Sequence, residues 1–152
     1  MAIALTLHLL AATVWVGGMF FASVALRPAA AELDPAHRMK LWADALTGFL
    51  HWAWAAAAVL LVTGLWMIFG VLGGMQAVGP HVHVMFGLGL LMMLMLGHIW
   101  FAPLGRLRRA VAGSHWADAG KALAQLRLFI GAHLVLGLAV IAIASGGRYF
   151  FR

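Results

Sequence analysis

Four long, mostly apolar stretches, near 2–26, 48–72, 82–104 and 123–145, dominate this chain. Each is long enough for the roughly 20 residues that carry a helix across the hydrocarbon of a bilayer. Lipid offers no hydrogen bonds to backbone N–H and C=O groups, so a spanning segment must satisfy them internally. The expectation is an all-α integral membrane four-helix bundle forming one domain over residues 1–152. Only 9% of residues are charged, against about a quarter in soluble domains, which excludes an ordinary soluble fold. The run 2–26 has no basic lead and is too long for a signal-peptide core, so no cleavable leader is expected. Without cysteine there is no disulfide, thiolate ligand, iron–sulfur cluster or covalently attached haem.

The net charge of +6 suggests nucleic acid until its distribution is considered. Arg27, Arg38 and Lys40 lie in the first loop, and Arg106, Arg108, Arg109 and Lys121 in the third, with Arg127 just inside the last helix. The second loop, Gly73 to Pro80, carries no charge. Positive loops stay cytoplasmic, so both termini are expected outside, in a bacterial inner membrane, with lipid as the partner and no nucleic acid. Only Arg148 and Arg152 fall on the outer side. Pro28 and Pro35 punctuate the first loop, and His37 to Gly48 reads as an amphipathic lead-in to the second helix. Trp42, Trp52 and Trp54 are expected at interfacial depth. Gly17, Gly18, Gly87, Gly89, Gly97, Gly131 and Gly137 suit close helix packing, a porphyrin edge or a homodimer face.

Five of the eight histidines, His8, His51, His83, His98 and His133, lie inside the apolar stretches. An ionisable group at membrane depth is costly and usually faces the bundle interior; histidine is also the commonest metal ligand. At about 1.5 Å per residue, the expected orientation sorts them by depth. His8 and His83 (or His81) form an outer set, and His51 and His98 an inner set. His133 falls mid-helix, as an alternate ligand or a core histidine bonded across the bundle. His37 and His115 belong to loops. On the third helix His83 and His98 are about 22 Å apart along the axis and about 60° apart around it, so they share a face with Gly87. That pattern resembles the two-histidine helices of di-haem b-type membrane cytochromes. It implies haem iron held by His8 and His83 outside and by His51 and His98 inside, with His133 and His81 as alternates. Met85, Met92, Met93 and Met95 crowd the same helix; thioethers with imidazole suit Cu(I), but methionine also fills gaps in apolar packing.

The first helix, Leu7 to Phe21 (LHLLAATVWVGGMFF), resembles the opening helix of the CopD-like and HemJ-like membrane families, in which a histidine precedes a Trp–Gly motif. Thr63 to Phe69 (TGLWMIF) is similar to their Thr-Gly-Leu-Trp run. The third helix with its basic exit, HVHVMFGLGLLMMLMLGHIWFAPLGRLRR, resembles the corresponding HemJ segment. The resemblance implies functional roles for His8 and His83, and either haem-dependent protoporphyrinogen oxidation or copper uptake. Met85 stands where the HemJ pattern has lysine, which turns the expectation away from that oxidation. The reading is a haem b protein, with one or two haems, moving electrons in the membrane between an unidentified donor and acceptor or quinone. Copper is the alternative cofactor, and a CopD-type copper transport or binding protein, or a HemJ-like protoporphyrinogen IX oxidase, the alternative function. Whether it is an oxidoreductase stays open, and no catalytic residue is assigned.

The charge distribution makes a direct prediction. A reporter fused after Arg152 should be active only as a periplasmic reporter; cytoplasmic activity would invert every histidine depth.

Overall fold

Each apolar run becomes one helix, and each helix outruns the apolar stretch that seeds it. Helix α1 is Ala2–Ala31, α2 Pro35–Gly70 and α3 Pro80–Ala112, and α4 is Trp116–Phe150. The computed structural model describes the backbone of residues 1–150 and the side chains of residues 1–147. The expected outer placement of the Arg148 and Arg152 side chains lies outside the described residues. All four helices are long and apolar enough to cross a membrane.

The extensions have local causes. The lead-in from His37 to Gly48 contains no breaker, so it runs straight into the span and makes α2 a helix of 36 residues. That is about 54 Å, well beyond a hydrocarbon core of about 30 Å. Asp34 starts it as N-cap, accepting from the backbone N–H groups of Ala36 and His37 at 3.1 Å each, with Pro35 at the first helical position, where a missing N–H costs nothing. The His37 backbone N–H and ring, with the Ala36 N–H, hold the Asp34 carboxyl below its usual range.

Proline acts differently from expectation at Pro28. Rather than breaking the chain, it lies within α1, two residues past a wide π-turn at Ala22–Leu26. Pro103 lies inside a second such turn, Trp100–Leu104, in α3. Proline has no N–H and crowds the carbonyl four residues back; a wider turn accommodates both defects without ending the helix. The chain reverses between α2 and α3 through Gly73 (φ 85°) and Gly74 (φ 94°), a left-handed pair that glycine adopts at no steric cost.

Helix α1 packs along α2 and also touches α4, and the Pro80–Ile99 part of α3 packs along α4. Helices α2 and α3 meet mainly near the basic loops, through residues 100–112. Between helices in lipid there is little hydrophobic drive, so close van der Waals fit must hold them. The interface residues are accordingly small or interlocking: Ala11, Ala53, Ala56 and Ala57 are buried beside Trp15 and Met19. The Phe49 ring occupies the space a Cβ on Gly18 would need. Packing is densest toward the basic end, where Trp42, Leu46, Leu50, Leu104, Leu107 and Leu126 are each at most 2% exposed. By contrast, residues 80–91 of α3 contain no buried side chain. Trp42 is therefore a core residue rather than a lipid-facing anchor; Trp52, at 69% exposure, faces outward.

Glycine positions separate cleanly. A Cβ on Gly137 would lie 2.7 Å from Val16 Cγ2 and 3.5 Å from Met92 Cε, and the β-branched Val16 cannot rotate away freely. Gly17 has no such neighbour within 4 Å. Gly137→Ala should destabilise the bundle by about 1–3 kcal/mol, whereas Gly17→Ala should be neutral or better. Unfolding by titrating a denaturing detergent into a mild one measures both.

Candidate functional site

The polar groups at membrane depth arise from residues that helical geometry points inward, and the first is His8 on α1. Its Nδ1 lies 2.8 Å from Thr63 Oγ1 on α2. The Thr63 hydroxyl donates to its own helix at Val59 O, 2.6 Å away, so its oxygen lone pair is left to accept from His8 Nδ1–H. The tautomer follows: Nε2 carries the free lone pair. The ring lies beside Gly64, where an added Cβ would be in ordinary contact with His8 Cε1 at 3.4 Å. The His8 motif and the Thr-Gly-Leu-Trp run, 55 residues apart in sequence, thus form one contact.

The second group is His133 on α4, which is fully buried. Its Nε2–H donates to the Met92 carbonyl of α3 at 3.0 Å, which makes Nδ1 the lone-pair nitrogen. That Nδ1 is buried without a hydrogen-bond partner. Trp15 of α1 lies against the same ring, with centroids 5.8 Å apart and tilted by 36°. Its indole N–H is also buried and unpartnered. A bare acceptor and a bare donor therefore sit on neighbouring rings in the middle of the bundle. Of the two roles open to His133, the hydrogen bond across α3 and α4 is present.

The other histidines lie at the surface of the chain. His83 is exposed and its Nδ1–H turns back to the Gly79 carbonyl of its own helix at 3.2 Å. His81 packs against α4, where a Cβ on Gly147 would meet His81 Cβ at 2.6 Å. His51 is exposed, donates to Thr47 O at 2.7 Å and meets the Trp100 ring edge-on at 4.9 Å. His98 is exposed, 5.1 Å from the Phe129 ring of α4. His51 and His98 thus neighbour different aromatic rings, Trp100 and Phe129. His37 pairs with Asp34 in the first loop, and His115 is exposed in the third.

Among the described residues, no group of three or more His, Asp or Glu side chains is placed to hold a metal ion. Two clefts open at the basic end. One is lined by Asp44, Gly105, Arg108 and Arg109, the other by Arg106, His115, Asp118, Lys121 and Gln125. Neither reaches the intramembrane histidines. Sequence reasoning did not identify Thr63, whose signal was its place in the quoted Thr-Gly-Leu-Trp run, nor Trp15 as the neighbour of His133.

Interhelical hydrogen bonds in membranes contribute about 0.6 kcal/mol on average and up to about 1.7. Thr63→Val should therefore destabilise by roughly 1 kcal/mol, and Thr63→Ser should retain wild-type stability. Detergent unfolding of the two variants side by side checks the bond.

No curated protein and no solved structure gives a match to this sequence. Residues 43–146, which include the Thr-Gly-Leu-Trp run, His83, His98 and His133, match the family model described as copper resistance protein D. The match covers more than half of a chain whose four helices suit a membrane. It is a multi-pass membrane protein and belongs to the copper resistance protein D family.

Proposed function

We propose that this protein handles copper in a bacterial inner membrane, with the ion as cargo and His8 as its first nitrogen donor inside the bilayer. The observation that carries this reading is the His8–Thr63 hydrogen bond. Histidines that bind metals generally donate their other N–H to an oxygen, which fixes the ring and raises the basicity of the ligating nitrogen. His8 is held that way, half-buried, with Nε2 free. Soft donors suit Cu(I), and Met67 lies one turn farther along the same face of α2 as Thr63. His133, with its bare Nδ1 beside Trp15, supplies a second unsaturated nitrogen deeper in the bundle.

A second reading, haem b held at the outer end by His8 and His83 in an electron carrier, is favoured by one observation. The face of α3 that bears exposed His83 also has open space at Gly87, where an added Cβ meets nothing within 4 Å. The donor chemistry of the outer pair suits an axial position. The inner pair, His51 on α2 and His98 on α3, would hold the second haem of that reading.

Copper and haem analysis of the purified chain separates the two. On the copper reading, vesicles containing the protein accumulate or release Cu(I) faster than empty vesicles. His8→Ala should reduce that rate at least tenfold, while Thr63→Val should reduce it less and Thr63→Ser hardly at all. A red protein with a reduced α-band lost in His8→Ala, and no copper flux, would replace this reading with the haem one.

A further inference from the structure

We propose that Arg127, Trp42, Arg27 and Arg38 form a binding site for a phosphate-bearing anion at the basic end of the bundle. Arg127 lies on α4, and its guanidinium carbon sits 5.2 Å from the centroid of the Trp42 ring on α2. Its Nε is buried and has no hydrogen-bond partner. Trp42 is 1% exposed, and its indole N–H is likewise buried and unpartnered. Both atoms can only donate. Two orphaned donors on side chains stacked at 5.2 Å mark a place where an acceptor is missing, and such buried groups are rarely left unpaired.

Charge says what kind of acceptor. The positive charges of Arg27, at the start of the last turns of α1, and Arg38, in the first turns of α2, bear on Arg127. The chain has four acidic residues, Glu32, Asp34, Asp44 and Asp118. Asp34 is engaged by His37 and Asp118 by Lys121, and no ion pair among the described residues involves Arg27, Arg38 or Arg127. Arg27, Arg38 and Arg127 thus come from three helices, feel one another's charge and have no carboxylate as an ion-pair partner, a repulsion that an entering anion relieves. A phosphate matches the forked donors of arginine and has oxygens to spare for the indole N–H. The site lies at the end of the bundle that carries the basic loops, where clusters of this kind between helices attract anionic lipid headgroups. A phospholipid headgroup and free phosphate share this chemistry.

The purified full chain in a non-ionic detergent tests the site and its source together. Dioleoylphosphatidylglycerol, dioleoylphosphatidylcholine and inorganic phosphate are titrated while the thermal unfolding midpoint is followed. Phosphatidylglycerol is expected to raise the midpoint saturably and more than phosphatidylcholine. A matching rise with inorganic phosphate identifies a soluble anion as the occupant, and a rise with the lipid alone identifies a headgroup. Arg127→Gln should weaken apparent affinity about tenfold, as loss of one charge-assisted hydrogen bond would, while Arg108→Gln in the neighbouring basic loop should not change it. Should Arg127→Gln fail to fold, Arg38→Gln and the ring-preserving Trp42→Phe carry the same expectation in weaker form. The proposal is overturned if neither phosphatidylglycerol nor phosphate shifts the midpoint. It is equally overturned if these variants bind as wild type, or if Arg108→Gln loses as much as they do.

Discussion

Lipid cannot hydrogen-bond to a backbone, and everything else in this structure follows from how the chain meets that condition. The four apolar runs coil into helices because no other arrangement of a single segment closes its own N–H and C=O groups. Even the two prolines within the helical course, Pro28 just after one π-turn and Pro103 inside another, do not break the chain. The same solvent also removes the usual reason for helices to associate, since lipid tails are as apolar as leucine. Association then depends on close fit, and the glycines and alanines at the α1–α2 and α1–α4 contacts provide it. Packing accumulates toward the basic end, and the first three turns of α3 are left with no buried side chain.

Against that background the few polar side chains inside the bundle stand out by how they are satisfied. His8 and Thr63 satisfy each other across α1 and α2, and the direction of the Thr63 hydroxyl decides which nitrogen of His8 stays free. His133 is satisfied on one nitrogen only, and Trp15 beside it on none. Arg127 and Trp42 repeat the pattern at the basic end with two donors and no acceptor. The histidines thus divide by environment rather than by depth alone. Those on α1 and α4 are tied into helix contacts, whereas His51, His83 and His98 remain exposed on the chain.

A four-helix membrane fold serves many chemistries, so a functional reading rests on these groups more than on the bundle. Membership of the copper resistance protein D family directs attention to soft-metal chemistry, and the His8 tautomer provides a nitrogen suited to it. The haem expectation drew its force from depth matching. Depth is a coordinate along one helix axis, and ligation also requires that two rings face one point across a gap. For His51 and His98, one ring lies on Trp100 and the other toward Phe129.

The sequence by itself determined the number of helices, their order and the placement of the basic loops at one end, because hydropathy and charge are local properties. It also marked His8 and the Thr-Gly-Leu-Trp run as separate motifs. It did not determine helix ends, since a polar lead-in such as His37 to Gly48 and a proline such as Pro103 can extend a helix when neighbours support it. Only the tertiary structure decided that His8 meets Thr63, that His133 is buried against Trp15 and that Trp42 lies under Arg127. A helix of nearly uniform apolarity has no face that announces its neighbour: in lipid the choice rests on the fit of small residues such as Gly18 and Gly137 against single side chains, which appears only once the helices are packed.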